Sequence, residues 1–290
     1  MNDIYRIDKA RVRASFDRAA DSYDAAAVLQ KEVRERMFER LELVKISPHV
    51  ILDAGCGTGP ASIELGKHYK KARIISLDIA MSMLKKTLSR QSLFKRMLGL
   101  VSHEAICADI EHLPLADHSV GLVWSNLAVQ WCNDLDLAFG EMSRVLEPGG
   151  LLMFSTFGPD TLKELRAASN VDAEHIHVSR FIDMHDIGDA LVRAGYSAPV
   201  LDVERYVLTY DDVIGVMRDL KAIGAHNATE GRRRGLEGKG FLKKLTSAYE
   251  QFRVQGKLPA TFEVVYGHAW KSESKVAKDT AVPVTFHKRT

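Results

Sequence analysis

Three glycines and two acids stand at spacings that suit the grip of a small ligand. Asp53-Ala54-Gly55-Cys56-Gly57-Thr58-Gly59 follows directly on the short apolar run Val50-Ile51-Leu52, and Asp78 ends a second such run, 19 residues beyond Gly59. Glycines behind a strand let the backbone turn sharply and come close to a ligand, and an acid at the next strand end can accept two hydroxyl protons from a ribose. An adenosine-containing cofactor is implied. The spacing is GxGxG and not GxGxxG, so the glycine that packs helix on strand in dinucleotide folds falls one place early, which weighs against NAD. A third run ends in Asp109-Ile110 and a fourth in Ser125-Asn126-Leu127. Asp109 suits an adenine amino group, and Ile79 and Ile110, each beside one of the acids, suit the two faces of the ring. The plainer alternative is that Asp78 and Asp109 only cap the helices that follow them.

Those residues need a scaffold that brings four strand ends together. Apolar residues at helical spacing predict an amphipathic helix over 28–44; strands are then predicted at 50–52, 73–77, 105–108, 120–125 and 151–157, with helices over 81–97 and 135–146 and Pro148-Gly149-Gly150 closing the second. Such alternation makes a parallel sheet covered by helices, with the strand ends along one edge. Beyond Phe157 the pattern predicts helices over 160–170 and 184–195 and strands over 200–208 and 262–270. The long stretch between those last strands, helical at 212–223 and 241–253, reads as an insertion and a lid. The resulting division is a helical cap over 1–45, an α/β core over 46–209, the lid over 210–260, a last core strand over 261–270 and a mobile tail over 271–290.

The composition, 46% hydrophobic and 27% charged over 290 residues, excludes disordered and collagen-like chains. Forty basic against 38 acidic residues leave a net charge of +2, so no whole-molecule field argues for nucleic acid or an anionic membrane. Cys56, Cys107 and Cys132 are widely spaced, without the pattern of a disulfide framework or zinc site. With no secretory signal and no apolar run of spanning length, the expectation is a cytoplasmic protein without a membrane span.

Taken together, Asp53 to Gly59, Asp78-Ile79, Asp109-Ile110-Glu111-His112-Leu113-Pro114 and Leu146-Glu147-Pro148-Gly149-Gly150 resemble the motif series of the class I S-adenosylmethionine-dependent methyltransferases. Within that superfamily, Ser125-Asn126-Leu127-Ala128-Val129-Gln130-Trp131-Cys132 resembles the malonyl-[acyl-carrier protein] O-methyltransferases of biotin synthesis. Phe16 to Ala20 with Tyr23, Phe157 to Leu162, Leu220 to Ala225 and Thr261 to Trp270 extend the likeness over residues 10 to 270. The resemblance implies a seven-stranded Rossmann-like sheet and S-adenosylmethionine as cofactor. It sets Gly55, Gly57 and Gly59, in the motif that Asp53 opens, against the methionine part, Asp78 on the ribose, and Asp109 with Ile110 on the adenine. Asn126 and Leu127 then face the sulfonium, Tyr23 and Gln30 close over the cofactor, and Met83 touches the adenine side.

Methyl transfer to a carboxylate needs no general base, because the acceptor is already ionised at neutral pH. The lack of an evident catalytic triad or metal cluster fits that chemistry. Candidate residues at the acceptor are Tyr23, Asn126, Arg166 and His226, the last beside Asn227; His175, His177 and His185 read as loop histidines and not as metal ligands. By resemblance Trp131 belongs near the acceptor, while Trp124 reads as core. The implied partner is a malonyl-acyl-carrier protein, acidic as such carriers are, and Arg232, Arg233, Arg234, Lys239, Lys243 and Lys244 are the expected docking residues. Two relatives of the same fold offer alternatives: quinone-precursor C-methyltransferases, and a respiratory complex I assembly factor that modifies a protein arginine.

Overall fold

The computed structural model describes residues 6–90, 103–169, 181–223 and 239–273. Seven strands form one sheet in the order β3-β2-β1-β4-β5-β7-β6: β1 (Val50–Ala54), β2 (Arg73–Asp78), β3 (His103–Cys107), β4 (Val120–Asn126), β5 (Leu146–Phe157), β6 (Tyr196–Tyr210) and β7 (Leu258–Lys271). The first five run parallel. β7 is antiparallel to both β5 and β6, between which it inserts. The chain builds outward from β1 to β3 and then returns to place β4 on the other side of β1. That reversal opens a crevice at the carboxyl ends of β1 and β4, where ligands of open α/β sheets bind.

The strands are legible as apolar runs because both faces of the sheet are covered. Alternate residues serve opposite faces: Ile51, Leu122, Trp124 and Met153 join one core cluster, and Leu52, Val123, Leu152 and Phe154 the other. The first cluster lies under α3 (Val28–Glu42), α4 (Pro60–His68), α7 (Lys163–Ser169) and the two helices of the insertion, α9 (Val213–Ala222) and α10 (Lys239–Tyr249). Phe38 of α3 stacks on the fully buried Trp124 with ring centres 4.5 Å apart. The second cluster lies under α6 (Leu135–Val145) and α8 (Met184–Arg193). α5 (Met81–Ser89) follows β2.

α1 (Lys9–Ala19) and α2 (Tyr23–Ala26) sit apart from both clusters. Phe16 packs with Ile7, Val12 and Trp131 on one side and with Ala20, Tyr23, Ala80 and Met83 on the other. These two helices therefore bridge from the segment after β4 to the segment after β2, across the crevice.

The expected elements occur with shifted ends. The helix expected over 81–97 is described to Ser89, and residues 91–102 lie outside the described residues. β5 starts at Leu146, so the Pro148-Gly149-Gly150 turn is part of the strand, with Gly149 at a left-handed φ of 76°. β6 runs on both sides of the expected 200–208. Of the segment read as a lid, α9 and α10 are built into the fold, with Val213, Val216, Leu245 and Tyr249 buried in the first cluster. Residues 224–238 between them, and the tail from 274, lie outside the described residues.

Candidate active site

The turn after β1 is fastened to the end of β2. Gly55 and Cys56 both donate their backbone N–H to the Leu77 carbonyl, at 2.8 and 2.9 Å. Gly57 N donates to Asp78 Oδ2 at 2.9 Å, and Ala80 N to Asp78 Oδ1 at 2.8 Å. Both carboxylate oxygens are thereby held by backbone donors. Burial pushes the Asp78 carboxyl up to about 6, against those backbone donors, which pull it down. Behind it Asp53 is buried and accepts from Ser62 Oγ at 2.5 Å. Burial, with the charge of Asp78 nearby, raises the Asp53 carboxyl to about 7.

A cleft with about 620 Å³ of empty space, its open mouth included, lies over these strand ends. Asp78, Ile79 and Met83 line it after β2, Asp109 and Ile110 after β3, and Asn126, Leu127 and Ala128 after β4. Gly55 and Gly57 form its floor, while Lys9, Val12, Phe16 and Tyr23 form its roof. A Cβ on Gly57 would meet only Tyr23, at 3.9 Å, and would otherwise project into open space. On Gly55 it would lie 2.3 Å from the Ala128 Cβ, and on Gly59 2.5 Å from Thr87 Cγ2. An acid for a diol, a second acid for an amino group, two isoleucines for the faces of a ring and a glycine leaving room for a backbone-hugging chain together suit an adenosyl group.

At the end of β4 the chain is tied into β5. Leu127 adopts a left-handed φ of 48°, a strained conformation for a side chain branched at Cγ. Its N–H is shared between Ser155 O at 3.2 Å and Ser155 Oγ at 3.0 Å. Ser155 Oγ in turn donates to Asn126 Oδ1 at 2.9 Å, and Asn126 Nδ2 donates to the Gln30 carbonyl at 3.1 Å. The Asn126 amide is thus held from both ends. Gln30 Oε1 is buried without a hydrogen-bond partner among the described residues.

A second set of bonds latches the roof. Lys9 Nζ pairs with Asp109 Oδ1 at 2.9 Å and with Glu111. Glu111, buried, also accepts from the backbone N–H groups of Asn133 and Asp134 at 3.0 and 2.8 Å. The Asn133 side chain embraces Ile7, accepting from its N–H at 2.7 Å and donating to its carbonyl at 3.1 Å. On the far side Asp17 accepts from Ser82 N at 2.7 Å. Tyr23 hangs from this roof; burial and the charges of Asp78 and Asp24 keep its phenol protonated through the physiological range.

A family profile described as a methyltransferase domain matches residues 52–154, the stretch that holds these strand ends. The fold is similar to that of the YcgJ protein from Bacillus subtilis, with a TM-score of 0.57 at 15% identity over 82% of this chain and 98% of that one. It is also similar to phospholethanolamine N-methyltransferase 2 of Haemonchus contortus, solved with S-adenosylhomocysteine, with a TM-score of 0.54 at 16% identity over 89% and 58%. Against curated proteins the chain is 68% identical to a malonyl-[acyl-carrier protein] O-methyltransferase of Methylovorus sp. (strain MP688), over 99% of this chain and 97% of that protein. The chain belongs to the malonyl-[acyl-carrier protein] O-methyltransferase family. Its counterpart in Gallionella capsiferriformans (strain ES-2) is 56% identical over 97% of each chain.

Within this methyltransferase the expected site residues divide into three groups. Tyr23, Gly55, Gly57, Asp78, Ile79, Met83, Asp109, Ile110, Asn126 and Leu127 meet in the cleft. Asp53, Gly59 and Gln30 stand one row behind it: Asp53 on Ser62, Gly59 as the left-handed cap of α4 against Thr87, and Gln30 behind Asn126. Arg166 is on α7, its guanidinium donating to the Pro159 carbonyl and partly buried, outside the lining of the cleft. His226, Asn227, His175, His177 and Arg232 to Arg234 lie outside the described residues. His185 is exposed and paired with Asp183 at 2.6 Å. Trp131 lines the cleft edge-on to Phe16, on the side of Asp109 and Cys132, while Trp124 is core. Sequence reasoning missed Lys9, Glu111, Asn133 and Ser155. For Glu111 a signal existed in its place beside Asp109; for the other three the partners are distant in the chain.

Among the described residues no helix is long and apolar enough to cross a membrane.

Proposed function

We propose that this methyltransferase moves the methyl group of S-adenosylmethionine onto the free carboxylate of a malonyl thioester borne by an acyl-carrier protein, in the early pimelate part of biotin synthesis. The observation that carries the reading is the extent of the likeness to the Methylovorus enzyme, which runs through the cap and the insertion as well as the cofactor half. When bound, the cofactor supplies a methyl group made electrophilic by its sulfonium. Asp78, its carboxylate oriented by the backbone donors of Gly57 and Ala80, would accept from the ribose hydroxyls, and Asp109 would accept from the adenine amino group with its second oxygen. Ile79, Ile110 and Met83 would enclose the ring, Gly55 and Gly57 would admit the methionine chain, and Asp53 and Gly59 would hold the turn. Asn126 and Leu127 would face the reacting end, with Gln30 closing the site from behind Asn126.

The new carbon–oxygen bond forms as the carbon–sulfur bond breaks, and no proton moves. Tyr23, held protonated, can orient an acceptor oxygen by donation but cannot serve as a base. The protein's contribution is alignment and exclusion of water under the roof. Arg166 or His226 would pair with the malonyl carboxylate, and esterification, by removing that charge, would weaken the pairing and favour release. The carrier would be drawn by Arg232, Arg233, Arg234, Lys239, Lys243 and Lys244.

The test is to incubate purified protein with methyl-labelled S-adenosylmethionine and, separately, malonyl-carrier protein, malonyl-coenzyme A, a quinone precursor and an arginine-containing protein. Label released from the carrier by mild alkali as methanol is the expected result. Alkali-stable label on a quinone carbon, or label on protein alone, would overturn the reading.

A further inference from the structure

The two helices of the insertion leave an unusual face toward solvent. α9 buries Val213 and Val216 and exposes Ile214, Met217, Arg218 and Lys221, which fall at i, i+3, i+4 and i+7 and therefore form one stripe. Ile214 is 49% and Met217 43% exposed. α10 packs against α9, buries Leu245 and Tyr249, and exposes Leu242 with Lys243 and Lys244. Its sequence, Lys239–Tyr249, contains no acid.

The acids nearby are engaged elsewhere. Asp211 pairs with Lys257 at 2.5 Å, Asp212 caps α9 by accepting from Gly215 N at 2.7 Å, and Asp219 interacts with the Tyr210 hydroxyl. Among the described residues Arg218, Lys221, Lys243 and Lys244 have no carboxylate partner. The location is equally specific. The last carbonyl of α9, Ala222, accepts from Ser22 Oγ at 3.4 Å, which ties the helix to the roof of the cofactor cleft. α10 packs along α7, which carries Arg166.

We infer that the outward faces of α9 and α10 are the docking surface for the carrier protein, with Ile214 and Met217 as its apolar centre and Arg218, Lys221, Lys243 and Lys244 as its basic rim. The inference rests on the proposed reaction and extends it to residues of α9. A chain with a net charge of only +2 attracts an acidic partner through local clusters, and unpaired cations around an apolar centre are the complement of an acidic helical carrier. Rim charges govern encounter, and desolvated apolar anchors govern residence. Through Ser22 and through α7 this face adjoins the roof of the cofactor cleft and the helix that carries Arg166.

The test compares malonyl-carrier protein with malonyl-pantetheine, the same arm without the carrier. Met217→Glu and, separately, Arg218→Glu with Lys221→Glu should each raise the KM for the carrier substrate at least tenfold, and the double change should also flatten its salt dependence. On malonyl-pantetheine kcat/KM should move less than twofold. An unchanged KM for the carrier, or equal losses on both substrates, overturns the docking assignment while leaving the reaction intact. Loss of self-association, or of binding to anionic phospholipid vesicles, without a change in carrier KM assigns the face to a second copy or to a membrane and also overturns it. Wild-type protein that methylates neither thioester overturns the reaction itself.

Discussion

Gly55, Gly57 and Gly59 share one turn but answer to different neighbours. All three have left-handed φ, so an L side chain at any of them costs about 1–2 kcal/mol in backbone strain. At Gly55 and Gly59 a Cβ also collides with Ala128 or Thr87, and the fold must shift. At Gly57 it enters open cleft. Gly57→Ala should therefore keep most of the melting temperature but lose at least tenfold in S-adenosylmethionine affinity, whereas Gly59→Ala should lose stability first; thermal melts beside calorimetric titrations separate the two. Asp78 carries the second residue-scale prediction. Burial raises Asp78 to about 6 and Asp53 to about 7, from an ordinary 3.8. Between about pH 4 and 7 the native state then binds more protons than the unfolded chain, so these groups stabilise the free protein at low pH and lose that contribution as the pH rises. Cofactor binding has the opposite sign, since ribose hydroxyls need the ionised carboxylate. Affinity should fall about tenfold per pH unit below about 6, with a proton released on binding, and Asp78→Asn should abolish both the slope and the release. That Asp78, Asp109 and the isoleucines beside them meet in one cleft was legible because each sits next to a strand end in the sequence. Ser155 and Lys9 were not, because a serine inside an apolar strand and a lysine in a charged opening segment acquire meaning only through Asn126 and Asp109, 29 and 100 residues away.

At the scale of elements, the roof is fastened at both ends, by Asp17 on Ser82 N and Asp21 on Lys86 at one and by the bonds of its first residues at the other. Lys9 on Asp109 and Glu111, and Asn133 around the Ile7 backbone, are the fastenings at that end. Each bond to Asn133 is worth about 1 kcal/mol. Removing both in Asn133→Ala should shift the closed state toward opening by about 2 kcal/mol, roughly thirtyfold. Hydrogen exchange should accelerate in Lys9–Ala19 and leave the amides of β1 and β4 protected, and the cofactor should dissociate faster; exchange that rises everywhere would instead mean that the fold itself was weakened. Central strands were readable from sequence because burial on both faces leaves them as mainly apolar runs, as over Leu122 to Trp124 in β4. The reach of β6 was not, because an edge strand alternates exposed and half-buried residues and its ends carry no apolar signal. The reversed direction of β7 was equally hidden: Phe262 to Trp270 is apolar whichever way it runs, and only its register against β5 and β6 decides the sense.

In the whole molecule the titratable groups of the cleft under α1 and α2 decide how the proposed reaction responds to pH. The titratable groups lining the cleft are poorly suited to act as a base near neutrality. Lys9 and Asp109 are paired with each other, Tyr23 is held protonated, burial pushes the Cys132 thiol up to about 12, and Asp78 faces the ribose in the proposed complex. A carbon or phenol acceptor would need a proton removed in or before the transition state, whereas a malonyl carboxylate is ionised throughout this range. With cofactor and malonyl-carrier protein both saturating, the single-turnover rate should therefore vary by less than about twofold from pH 6.5 to 8.5, even while the cofactor dissociation constant measured separately follows Asp78 below about pH 6. Saturation removes the Asp78 effect from the chemical step, so the two profiles must part. A single-turnover rate that climbs near tenfold per unit across that window would place a base in the site and make the acceptor something other than a carboxylate.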